Sequence, residues 1–172
     1  MARQELSMKN IIRIHSGDAA VIKSDDWVIA EDVHDTPDPH DVLPMAVWLA
    51  RVEQGEEVTP AVWIGVNDDP MELQSVIDKL SFIGVFFEDF KDGRGYSTAY
   101  LLRKRLNYQG DLRAFGDVLR DQLSLMRQCG FDSFAIKEGK DPYDAMKGLK
   151  GLSVTYSSSV SQPNPLYKRV RR

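Results

Sequence analysis

Between residues 87 and 106 the chain reads FEDFKDGRGYSTAYLLRKRL, and its centre carries Asp89, Lys91, Asp92, Gly93, Arg94 and Gly95. A Gly-x-Gly step that feeds a helix leaves unpaired backbone amides at the positive end of a dipole. A guanidinium between the two glycines adds charge, so phosphate, sulfate, sulfite or a carboxylate would suit the turn. Tyr96 and Ser97 follow as supporting groups. The spacing is not a dinucleotide fingerprint, because Thr98 stands where GxGxxG needs its third glycine. It is not a Walker A loop either, since no GKS or GKT follows. The bland alternative is a junction in which the glycines permit the turn and Arg94 pairs with Asp92, Asp117 or Asp121.

A second constellation lies in GDLRAFGDVLRDQL, with Arg113, Asp117, Arg120 and Asp121. Arg113 falls inside an apolar strand pattern and shares side-chain parity with Asp117. A cation there needs a carboxylate partner, and Asp117 and Asp89 are the expected ones. Asp117 also reads as the N-cap of the following helix, with Arg120 and Asp121 as its first-turn ion pair. If the two constellations meet, Arg94 and Arg113 become anion clamps flanked by Lys91 and Arg120. Asp117 or Asp92 would then be the proton acceptor. Cys129 is read as a plain buried thiol, with no base beside it in sequence. His15, His34 and His40 match no metal-ligand spacing, so EDVHDTPDPHD (31–41) is read as a surface loop.

The elements that must position these groups show in the apolar runs. NIIRIH and AAVIKS flank Ser16-Gly17-Asp18 and read as a hairpin, with DDWVIA as a third short strand. Residues 42–55 have helical spacing at Val42, Met45, Leu49 and Val52 and stop at Gly55. From residue 61, apolar runs near residues 64, 86, 114 and 134 each lead into an amphipathic segment, which is the order of four βα units over 61–150. Asp69-Pro70 and Asp141-Pro142 look like N-cap and N1 pairs, while Gly110 and Gly130 suit helix ends. The expected fold is α/β, with four consecutive βα units forming a parallel sheet like part of a (β/α) barrel. An N-terminal β segment (10–30) and one helix would cover the open side, and an open doubly wound sheet is the alternative. In either case ligands belong beyond the C-terminal ends of the strands.

With 172 residues, 42% of them hydrophobic, the chain reads as one domain with a C-terminal tail at 151–172. A net charge of −4 argues against a nucleic-acid binder. The local exception is the basic tail with Lys168, Arg169, Arg171 and Arg172. One cysteine cannot build an internal disulfide, a structural zinc site or an iron–sulfur cluster. No window approaches the ~18 apolar residues of a membrane span, and no signal-peptide pattern opens the chain, so the cytoplasm is the expected location.

The stretch FFEDFKDGRGYSTAYLLRKRLNYQGDLRAFGDVLRDQLSLMRQCGFDSFAI, with LPMAVWLA before it and TYSSSVSQPNPLYKR after it, resembles the bacterial family called domain of unknown function 934. Members are commonly named as oxidoreductases of sulfite reduction, because their genes lie near those of assimilatory sulfite reductase. That resemblance implies a role in sulfur assimilation, with sulfite reductase or another protein of that route as partner. It supplies no catalytic residues. Sulfite reduction needs a redox cofactor, and nothing in the sequence marks a site for NAD, flavin, haem or an iron–sulfur cluster. The expectation is therefore an accessory protein with an anion site on the strand edge. The alternatives are a small enzyme on a phosphorylated or sulfur-containing molecule and a purely protein-binding module.

Overall fold

The computed structural model describes residues 8–30, 36–150 and 157–169. One mixed sheet organises the chain, built from β1 (Lys9–His15), β2 (Asp18–Ser24), β3 (Val28–Ile29), β4 (Asp41–Pro44), β5 (Ala61–Ile64), β6 (Phe82–Phe87), β7 (Asp111–Gly116) and β8 (Ser133–Ala135). Its order is β2-β1-β8-β7-β6-β5-β4-β3. Strands β3 to β8 run parallel to one another, while β1 lies antiparallel to both β8 and β2.

The four expected strands are present as β5 to β8, but the sheet does not stop with them. The N-terminal hairpin does not cover an open side. It joins the sheet through Ile12 opposite Phe134 and carries it two strands further. At the other edge, Val42 belongs to β4 and not to a helix, so helix α1 spans only Met45–Glu53. DDWVIA contributes just the two residues of β3.

Alternation along each strand sorts the side chains into two layers. Ile12, Leu43, Val62, Ile64, Ile83, Val85, Leu112, Ala114 and Phe134 pack in one cluster with residues of α1, α2 (Arg94–Lys104), α3 (Leu123–Cys129) and α4 (Pro142–Met146). Ile11, Val42, Ala61, Phe82, Phe115 and Ala135 form a second cluster in which, among the described residues, no helical residue takes part. Helices therefore cover one face, which is the layering of a barrel wall and excludes the doubly wound alternative. Chain connectivity requires the curl. The edge strands β2 and β3 are joined by Asp25, Asp26 and Trp27 alone. Laid flat, eight strands would put them roughly 34 Å apart, yet the connection reaches only about 14 Å. The sheet must bend into a half-barrel with its helices outside.

Inside the curl the wall is aromatic. Trp27 stacks on Phe82 with ring centroids 5.0 Å apart. Trp63 meets Phe86 at 6.1 Å and Phe115 at 6.2 Å, both edge-on. The expected helix after β5 is two 3-10 turns, Pro70–Leu73 and Ile77–Lys79, interrupted at Val76. Asp69 and Asp141 cap as expected, accepting from the amides of Met71 and Tyr143. Gly130 takes the left-handed C-cap position at φ 110. Gly110 does not end a helix, because α2 stops at Lys104. It lies against the Tyr108 hydroxyl and the Ser81 carbonyl, where an added Cβ would fall 2.2 and 2.8 Å away.

Candidate functional site

The C-terminal edge of the parallel strands gathers three turns. After β6, Asp89 accepts from the Lys91 amide at 2.9 Å, and its carbonyl accepts from the Asp92 amide at 3.0 Å. The next group decides the chemistry of the turn. The Asp92 carboxylate accepts from the Arg94 backbone amide at 3.0 Å and from the Arg94 guanidinium at 2.5 to 3.0 Å. Asp92 thus sits where an external anion would be captured at the start of α2, so the turn supplies its own. The remaining reach of Arg94 goes to Asn67 Oδ1 at 2.9 Å, which ties this turn to the one after β5.

Hydrogen bonds from the Arg94 side chain and then its amide pull Asp92 from the ordinary value of 3.8 to about 2. Because the folded value lies below the unfolded one, the stabilising contact is complete above pH 3.8 and is lost as pH falls through about 2. A carboxyl-carbon NMR titration should find Asp92 ionising near pH 2, and Arg94→Met should return it towards 3.8. A midpoint unmoved by Arg94→Met would show that Arg94 does not hold it.

The two glycines of the turn differ. Gly93 has open space where a Cβ would go, whereas a Cβ on Gly95 would lie 2.5 Å from the Phe87 ring. Gly95 is therefore a packing residue that lets α2 approach β6. Tyr96 completes that contact edge-on to Phe87 at 5.4 Å, and burial raises its phenol pKa. Ser97 is exposed on α2.

The turn after β7 corrects a second expectation. Asp117 does not cap a helix, since the next turn is the 3-10 segment Arg120–Gln122 with Leu119 at its N-cap position. The Asp117 carboxylate instead pairs with Lys137 Nζ at 2.6 Å and accepts the Phe90 amide at 3.0 Å. Lys137 is the main reason its pKa is lowered. Arg120 turns away to Asp144 at 3.2 Å and does not pair with Asp121, which is exposed.

Arg113 is not on this edge. It is fully buried on the inner wall, midway along β7, opposite Gly84 and Ser133. Its partner is neither Asp117 nor Asp89. Nη1 and Nη2 donate to the two carboxylate oxygens of Asp25 at 3.1 and 2.5 Å, and Nε donates to Ser133 Oγ at 2.9 Å. The guanidinium carbon lies 4.8 Å from the centre of the Phe82 ring. The Ser133 hydroxyl donates to Asp111 at 3.1 Å, Asp111 also accepts from Arg13 at 2.9 Å, and Arg13 reaches Asp25 at 3.3 Å. Two arginines, two aspartates and a serine close a neutral network. It fastens the short β2–β3 connection to the centre of the wall.

Thus Asp92 meets Arg94, Lys91 lies over the Phe90 ring, Asp117 meets Lys137, and Arg113 and Arg120 lie in other networks. A carboxylate held below its ordinary range is a poorer proton acceptor, which weakens Asp92 and Asp117 as bases. Sequence reasoning passed over Phe90, which now stands out. The residue is 52% exposed, yet its amide donates to Asp117 and its carbonyl accepts from Gln122 Nε2 at 3.1 Å. Lys91 Nζ lies 5.5 Å from its ring centre. A signal did exist in the sequence, an aromatic residue set among four charged ones in EDFKD.

Elsewhere, Cys129 is half-buried and its thiol pKa is raised by burial. His40 lies near Asp38 and edge-on to Trp27. His34, Arg171 and Arg172 fall outside the described residues. Among the described residues no three acids, histidines or cysteines are placed to share a metal ion, and no helix is long and apolar enough to cross a membrane.

Comparison with known families matches residues 61–167 to the family described as Bacterial protein of unknown function (DUF934). No curated protein and no solved structure matches.

Proposed function

The chain belongs to that bacterial family of unknown function, and from this premise we propose that it is an accessory protein of assimilatory sulfite reduction. It works by docking on a protein of that route, with sulfite reductase the first candidate, and does not itself turn over sulfite. The sulfur-assimilation part of the reading rests on the resemblance carried by DGRGYS and GDLRAFGDVLRDQL. The docking part rests on one observation, the exposed Phe90 side chain on a backbone held from both sides by Asp117 and Gln122. An aromatic side chain carried on a backbone that is already fixed leaves less ordering entropy to lose on contact, and aromatic anchors dominate protein interfaces. The competing use of the edge, capture of a free anion, is disfavoured by pairing. Arg94 is held by Asp92 and Lys137 by Asp117.

Two measurements test the reading. Deleting the gene should slow growth of the host bacterium on sulfate, and cysteine should repair the defect. Tagged protein should retain sulfite reductase from a lysate of sulfur-starved cells. Normal growth on sulfate, in a strain without a second copy of the gene, would count against the sulfur role. Capture of a different protein would move the docking role elsewhere.

A further inference from the structure

The hairpin β1–β2 leaves one edge of the half-barrel open, and its geometry specifies what can pair there. The loop has two residues, Ser16 (φ 50) and Gly17 (φ 92), both with positive φ, the pattern of a type I′ turn. His15 and Asp18 on either side of such a turn form a hydrogen-bonded pair. So do the pairs two residues further on, Arg13 with Ala20 and Ile11 with Ile22. Parity then fixes the rest. Asp18, Ala20, Ile22 and Ser24 aim their backbone groups at β1, and Ala19, Val21 and Lys23 aim theirs outward. Among the described residues none of these outward groups has a partner. The other edge strand, β3, has two residues and offers little to pair with, while β2 has seven. Natural sheets usually blunt such an edge with proline, charge or a bulge. Here the middle of β2 is Ala19-Ala20-Val21-Ile22, without any of these.

We propose that β2 pairs antiparallel with β2 of a second copy of this chain, about a two-fold axis through Val21. Opposite residues in an antiparallel pair must share a face of the joint sheet, so the two positions in each pair sum to an even number. Centring on Val21 is the register that uses every outward residue. Val21 faces Val21 of the partner subunit, and Ala19 and Lys23 face each other twice, which gives about six new backbone hydrogen bonds. On the inner face Ala20 lies opposite Ile22, and Asp18 opposite Ser24. No like charges meet, and the centre is apolar, which is the complementarity that a self-pairing strand needs. Sliding the register by two residues sets Asp18 against Ile22 and strands two of the outward groups.

Analytical ultracentrifugation of the full chain tests this. Wild type should sediment as a reversible dimer in the micromolar range. Val21→Pro removes the two central outward donors and leaves the β1 pairing groups untouched, so it should be monomeric or dissociate at least about tenfold more easily, since each lost hydrogen bond is worth ~1 kcal/mol. Ala19→Lys places a lysine opposite Lys23 and should weaken the dimer without touching any backbone donor. Its circular dichroism and melting would confirm that it is folded. A wild type that stays monomeric overturns the proposal, as does a dimer that neither substitution weakens. So does a monomer with a protected Val21 amide, because another part of the chain would then cover the edge.

Discussion

Asp25→Ala should lower stability by about 3–5 kcal/mol, the largest effect we expect from one substitution outside the apolar core. Arg113 is fully buried, so removing Asp25 leaves a cation in the wall whose remaining direct contacts include the Ser133 hydroxyl and the face of the apolar Phe82 ring. Asp111 lies 3.6 Å from Nη2 but is already engaged by Arg13 and Ser133. The converse substitution should cost much less. Asp25 is 17% exposed and keeps Arg13 at 3.3 Å, and a methionine fills the volume of an arginine without its charge. Arg113→Met should therefore fall within roughly 1–2 kcal/mol of wild type. Urea unfolding of the two variants, read at equal m-value, decides the matter. Equal losses, or a greater loss for Arg113→Met, would show that the uncompensated buried cation is not what makes the loss of Asp25 so costly.

The same network shows where sequence reasoning reaches its limit. Strands β5 to β8 were legible because their apolar runs serve both layers of the wall, and the caps at Asp69 and Asp141 are local chemistry. Strand β4 was not legible. Val42, Met45, Leu49 and Val52 keep helical spacing across a junction, and Pro44 ends the strand where α1 begins. The segment after β5 kept helical spacing too, yet it breaks at Val76 (φ −129, ψ 5), where two β-branched residues adjoin. Within the candidate site, the Asp92–Arg94 pair was one of the readings the sequence offered, being two residues apart. The Arg113–Asp25 pair spans 88 residues. Parity along β7 could say only that Arg113 and Asp117 share a side of the sheet. It could not say that the chain returns across the inner wall after β2, because that path follows from the antiparallel insertion of β1 and the curl it completes.

Phe90→Ala should abolish partner retention while leaving the fold intact. Truncating an anchor of this kind typically removes 2 kcal/mol or more of binding, about a thirtyfold weaker complex. The side chain is half exposed, so its loss should change stability by no more than ~0.5 kcal/mol. The supports give the discriminating control. Gln122→Ala leaves the ring in place but frees the Phe90 carbonyl, and Asp117→Asn removes the charge that Lys137 holds against the Phe90 amide. If the value of Phe90 lies in being held still, each of these should weaken the complex by a smaller factor, roughly 3- to 10-fold, through the entropy of ordering the turn on contact. If Phe90→Ala binds as wild type does, the exposed ring is incidental and the partner meets another face. If Phe90→Ala fails while both supporting variants bind normally, the ring is the anchor but its rigidity contributes nothing. The turn at residues 88–94 would then be a docking loop without preorganisation, and the pairing of Asp92 with Arg94 would serve only the start of α2.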